Sequence, residues 1–145
     1  MVPDLYSVLL AMRDRVESCG VDFINRETII LTNDKRIKPE LYVELSINPG
    51  TTLPRSEFDY ITPAIVNCVV VTTHADGSEQ VFDIIRQIGK QLTANQDRRE
   101  TAKAKFNDRD GNLILIRRAE QRPFVQDEHT FRVNFMITID ILSKG

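Results

Sequence analysis

The sequence predicts an α+β domain: a mainly antiparallel β-sheet packed against two α-helices, with a long irregular loop between two strands. Three observations carry this prediction. Phe131, Val133, Phe135, Ile137, Ile139 and Ile141 take every second position of the stretch 130–142, so all six fall on one face of a strand. Two other stretches, 5–16 and 81–92, place apolar residues at steps of three and four, the period of a helix with one buried stripe. The strand patterns come in runs between these separated helices, which favours α+β over a parallel sheet with alternating helices.

In chain order, Asp4 is the expected N-cap of a first helix whose stripe is Leu5, Val8, Leu9, Met12 and Val16. Gly20 ends it, because glycine takes positive φ at no steric cost. Residues 27–32 read as a short β-branched strand and 33–36 as a polar turn. Leu41, Val43, Leu45 and Ile47 alternate with Tyr42, Glu44 and Ser46, a second half-buried strand. The segment 48–63 holds Pro49, Gly50, Pro54 and Pro63, which argues against regular structure through most of it. It also carries Leu53, Phe58, Tyr60 and Ile61, so it either folds back on its own domain or extends as an arm onto a neighbour.

The almost unbroken β-branched run 64–73 reads as a central strand buried on both faces. Residues 74–77 form a turn, and Ser78 is the expected cap of a second helix with the stripe Val81, Ile84, Ile85, Ile88 and Leu92. Gly89 inside that helix weakens it by about 1 kcal/mol relative to alanine and marks close packing. The polar stretch 93–107 is expected to be mobile or ordered by a partner. A turn at 108–112 leads into a strand at 113–118, and 119–129 connects this to the final strand.

A length of 145 residues suits a single domain, 1–145, with a real core. The net charge of −2 supplies no global pull toward nucleic acid or an anionic membrane. No apolar run is long enough to cross a bilayer, and the start lacks the basic and apolar regions of a secretory signal, so cytoplasmic synthesis is expected. Cys19 and Cys68 fit no metal spacing and are expected as free thiols.

Motifs for chemistry are missing. There is no nucleophile elbow, phosphate-binding loop, dinucleotide fingerprint or zinc-protease motif, so neither catalytic residue, metal nor cofactor is expected. His74 and His129 lie beside acidic residues in turns and read as surface histidines. Asp108-Arg109-Asp110-Gly111-Asn112 faintly suggests a calcium loop, but its glycine comes one acidic ligand early and Arg117 stands where a glutamate is needed. It reads as a turn. The basic residues Arg98, Arg99, Lys103, Lys105, Arg109, Arg117, Arg118 and Arg122 cluster, but Asp97, Glu100, Asp108, Asp110 and Glu120 are interleaved with them. That pattern suits a solvated face or an interfacial ion-pair ribbon, with a DNA-phosphate patch as the sharper alternative.

The arrangement resembles the tail-terminator (tail-completion) proteins of long-tailed bacteriophages. The matching parts are the helix at 5–19, the strands at 41–47 and 64–73, the helix at 78–92 and the final strand at 130–142. The ending is nearest to the family: Arg122-Pro-Phe-Val-Gln-Asp-Glu-His129 leading into Phe-Arg-Val-Asn-Phe-Met-Ile-Thr-Ile-Asp. The loop at 48–63 and the polar stretch after the second helix have no counterpart in that pattern. The resemblance implies a structural virion protein and no enzyme. It would form a hexameric ring at the head-proximal end of the tail tube, stop tube polymerisation and offer a surface to the neck. Its partners would be the tube protein and the head–tail connector proteins, with DNA passing through the lumen without sequence-specific binding. By this analogy Leu53, Phe58 and Tyr60 would anchor on the adjacent subunit. Arg98, Arg99, Lys103 and Lys105 would lie at the lumen or at a ring face. Other readings are another neck or head-closure component, a non-viral adaptor domain that binds one protein, and a nucleic-acid-binding accessory protein.

Overall fold

The computed structural model describes residues 3–32, 34–57, 59–73, 77–92 and 104–144. Helix α1 spans Leu5–Ser18 and starts where expected: the Asp4 carboxylate accepts the Tyr6 N–H at 3.1 Å and the Ser7 hydroxyl at 3.1 Å. Val8, Leu9, Met12 and Val16 are its buried stripe. The chain leaves through Gly20 at φ +65°, and the Gly20 N–H is donated to the Glu17 carbonyl. Strand β1 (Ile29–Leu31) pairs parallel with β2 (Leu41–Pro49), the one parallel pair among the described strands of a sheet that is otherwise antiparallel.

The segment 48–63 is not one irregular loop. β2 runs on through Pro49, a short β3 (Leu53–Pro54) follows, and β4 begins at Asp59 and continues to Thr72. β2 and β3 lie end to end along β4, from Leu41 opposite Thr72 to Pro54 opposite Tyr60. The prolines are tolerated because of where they fall. The Pro63 carbonyl accepts the Gly50 N–H at 2.7 Å, just past the last β2–β4 pair of Pro49 with Ala64, so Pro63 falls at the break between β2 and β3, where a missing N–H interrupts no continuous ladder. A Cβ on Gly50 would lie 3.2 Å from that same carbonyl oxygen.

The second helix, α2, covers Ser78–Leu92 and buries the expected stripe of Val81, Ile84, Ile85, Ile88 and Leu92. Its first internal bond runs from the Val81 N–H to the Gly77 carbonyl, so Gly77 holds the cap position and Ser78 is already helical. Gly89 does mark close packing, since a Cβ there would lie 3.1 Å from Cζ of Phe135. Residues 74–76 of the expected turn at 74–77, His74 among them, lie outside the described residues, as does the stretch 93–103. Residues 104–107, expected as part of the polar stretch, form strand β5 (Ala104–Asn107) against β6 (Leu113–Gln121). The turn between them is held by Asp108. Its carboxylate accepts the Asp110 and Asn112 N–H groups at 2.9 and 2.8 Å, and Gly111 takes φ +84°.

Strand β7 (Val125–Gln126) and the long β8 (Phe131–Lys144) complete the sheet, whose order is β1-β2-β4-β8-β6-β5. β8 pairs with β4 along its whole length and with β6 and β7 along its other side, which makes it the central element. Both helices pack on one face, against Val43, Leu45, Val66, Val70, Ile116, Ile137 and Ile139. The expectation that 64–73 is buried on both faces therefore holds only at the end of the strand and fails along most of it. Ala64, Val66, Cys68 and Val70 are buried on the helix side, whereas on the other face Ile65 is exposed and Asn67 and Val69 are half-buried, and only Val71 at the end of the strand is buried there. The β-branched run reflects strand propensity on a half-covered surface, not a second layer.

Helix α1 meets β1 along one flank and the β5–β6 turn along the other. Those elements belong to opposite edges of the sheet, which in a flat sheet of six strands would stand about 24 Å apart. The sheet must curl around the helix to bring both within its reach, roughly 10 Å across. Both cysteines are free, as expected. Burial pushes the Cys68 thiol up to about 12, and burial also raises half-buried Cys19. Thiol labelling of the native protein at pH 8 is expected to modify Cys19 slowly and to reach Cys68 only on unfolding.

Candidate interaction surfaces

Large apolar side chains are exposed at both ends of the central β4–β8 pair. At one end Leu53 is 53% exposed in β3, opposite Ile61. At the other end Phe124 and Val125 are 54% and 57% exposed. Phe124 belongs to a ring cluster: it stacks on Phe131 at 5.2 Å and meets Phe82 of α2 edge-on at 6.3 Å. The hairpin turn that follows is acidic. The Asp127 carboxylate accepts the backbone N–H groups of His129 and Thr130 at 2.9 and 2.7 Å, and these bonds hold its pKa below the usual aspartate value.

The uncovered face of the sheet is a mixed surface. Val69, Val71, Tyr42, Pro123 and Val125 line a shallow pocket there with Lys38, Glu44, Arg132 and Asn134. Its charges are paired within the chain: Lys38 with Glu44 at 3.2 Å and Arg117 with Asp140 at 2.6 Å. Asn134 donates to Asn67 at 2.9 Å, while its own amide oxygen is buried without a hydrogen-bond partner.

The β1 edge is blunted. The Ile29 N–H is donated to the Asn25 carbonyl, and the Ile29 carbonyl accepts the Arg36 guanidinium at 3.2 Å. Asp34 orients that arginine at 2.7 Å, and its pKa is lowered first by the Arg36 backbone N–H and then by the guanidinium. A strand therefore cannot simply add at β1.

On the other flank of α1 lies a groove of about 480 Å³ lined by Leu10, Ala11, Arg13, Arg15, Phe106 and Arg109. The Arg15 guanidinium sits 5.8 Å from the Phe106 ring centre, and its Nε is buried without a hydrogen-bond partner. Arg109 donates to the Ser7 hydroxyl at 2.9 Å and sits 5.7 Å from the Tyr6 ring centre.

Of the residues the sequence singled out, Leu53 is exposed at the β3 tip and Tyr60 is half-buried in β4, paired with Ser143. Lys105 is exposed on β5. Phe58, Arg98, Arg99 and Lys103 lie outside the described residues. Sequence reasoning missed Phe124, Val125, Ile37 and Phe23, all exposed. Phe23 carries a usable signal only in the backbone, where it takes φ 67°, a region that disfavours large side chains. No cluster of His, Cys, Asp or Glu suited to a metal occurs among the described residues, and no described helix is long and apolar enough to cross a membrane.

The chain is thus an α+β protein with helices on one face of a mainly antiparallel sheet. No family model matches it, and no curated protein does. A solved structure resembles it over 97% of this chain and 96% of its own length, with a TM-score of 0.64 and 14% identity. At that identity the likeness is one of fold.

Proposed function

We propose that this protein is a structural component of a bacteriophage tail. It forms a ring, a hexamer by family resemblance, on the head-proximal end of the tail tube, ends tube polymerisation and presents a surface to the neck proteins. DNA crosses its lumen without being read, and the protein works in the virion. One observation carries the reading: exposed apolar side chains stand at opposite ends of one rigid strand pair, Leu53 at one and Phe124 with Val125 at the other. Single exposed apolar residues are ordinary, but two different sticky ends on one body suit a heterologous contact, which closes into a ring when the rotation per subunit permits. The partly apolar outer sheet face, with its charges already paired, leaves a third surface for the tube or neck.

The test is mass by light scattering over a concentration series, with negative-stain images, alone and with purified tail tubes. A ring with a central hole, or capping of tube ends, is the expected result. Leu53→Asp is expected to raise the concentration needed for assembly at least tenfold. Its unfolding midpoint should stay put, since exposed substitutions move stability by only about 0.5 kcal/mol. A protein that stays monomeric and ignores tail tubes would sink the reading.

A further inference from the structure

We propose that the acidic β7–β8 tip of one copy, residues 124–129, docks into the arginine-lined groove between α1 and β5 of a second copy. The inference rests on the self-associating ring described above and names the contact that would build it.

The two surfaces complement each other in charge and in apolar content. On the groove side, Leu10, Ala11 and Phe106 offer apolar contact and Arg15 offers a donor, while Arg13 and Arg109 add positive charge shared with Asp14 at 3.4 Å and Asp4 at 3.8 Å. The aspartates in that groove are already engaged: Asp14 by Arg13 and Arg26, and Asp108 by its own turn. The buried Nε of Arg15 lacks a hydrogen-bond partner, and a desolvated donor of this kind gains most from an incoming carboxylate. On the tip side, Phe124 and Val125 stand beside Asp127 and Glu128, whose side chains are 55% and 90% exposed. Among the described residues their ion pairs are long, Arg132 at 3.8 Å from Asp127 and His129 at 3.9 Å from Glu128; the Asp127 carboxylate also accepts the His129 and Thr130 N–H groups of its own turn, so Glu128 is the freer acid.

Position excludes the tip's own chain, and the match of charge and apolar content makes a second copy the occupant. The groove adjoins the β5–β6 turn, where Leu113 pairs with Leu142, whereas Gln126 of the tip pairs with Phe131. Those two points on β8 are on the order of 35 Å apart, so a tip cannot reach the groove of its own chain. Opposite charges at opposite ends dock head to tail, the geometry that a cyclic assembly repeats.

The test uses two charge-reversed forms of the full chain. One carries Arg15→Glu with Arg109→Glu, the other Asp127→Lys with Glu128→Lys. Each alone is expected to need at least tenfold more protein than wild type to assemble, read by sedimentation or light scattering. An equimolar mixture is expected to assemble again, because the intact tip of the first meets the intact groove of the second and the two reversed surfaces also match. A folding defect cannot produce that rescue. If the double groove variant fails to fold by circular dichroism, Arg109→Glu alone takes its place in the same mixture. Wild-type assembly with both variants unaffected, or a mixture as dispersed as its parts, overturns this contact and leaves the ring reading standing. A wild type that stays monomeric with and without tail tubes overturns both.

Discussion

Ile139→Ala is expected to lower the unfolding free energy by about 3–4 kcal/mol, the upper half of the range for emptying a rigid core site. Ile139 is fully buried at the middle of β8, with Ala64 of β4 on one side and Ile116 of β6 on the other. Ala64 is too small to move into the void, and both flanking strands are held by long ladders, so the cavity persists. A loss of that size is a large part of the 5–15 kcal/mol typical of a domain. The measurement is urea unfolding, where the midpoint should fall while the slope stays constant. Ile65→Ala is the internal control. Ile65 lies on the uncovered face at 37% exposure, so its truncation should cost less than about 1 kcal/mol. Equal losses at the two sites would contradict a core on one face only.

Gly77→Ala is expected to cost about 2 kcal/mol, although a glycine at a helix cap normally tolerates alanine with a smaller loss. The reason is steric. A Cβ at Gly77 would stand 2.7 Å from Cγ2 and 2.8 Å from Oγ1 of Thr72. Thr72 is fully buried at the end of β4 and, being β-branched, has little rotamer freedom to yield. The contact fixes how closely α2 enters over the sheet, so relief must come from shifting the helix. Adding Thr72→Ala to Gly77→Ala should recover at least about 1 kcal/mol relative to the sum of the single effects in a double-mutant cycle. Strict additivity would show that the contact does not limit the helix.

The acidic tip adds a pH dependence. Asp127 has its pKa lowered in the fold, chiefly by the His129 backbone N–H and by bonds from Thr130. A depressed carboxylate pKa contributes stability above the unfolded value, and that contribution is lost as pH falls through the folded one. Hydrogen exchange at the His129 and Thr130 amides should therefore lose protection below the ordinary aspartate value of 3.8, before the β4–β8 ladder does.

Both helices, their buried stripes and the one-sided alternation of β8 were legible in the sequence, because burial there follows a local period of 3.6 or 2. The Asp4 cap, the turn at Asp108 and the free cysteines were legible too, since each depends on side chains a few residues away or on spacing alone. Tertiary structure alone decided the rest. Proline content argued for a loop at 48–63, but Pro63 is accommodated because it falls at the gap between β2 and β3, which involves pairing across the hairpin. The β-branched run of β4 carries no mark of which face is covered. That depends on both helices choosing the same side. The arginine groove gathers Arg13 and Arg15 of α1 with Phe106 and Arg109 from nearly a hundred positions later, and only the curl of the sheet makes them neighbours. Local sequence encodes what a residue meets within its own turn or strand. What it meets across the sheet follows from pairing order and curvature, which no short window contains.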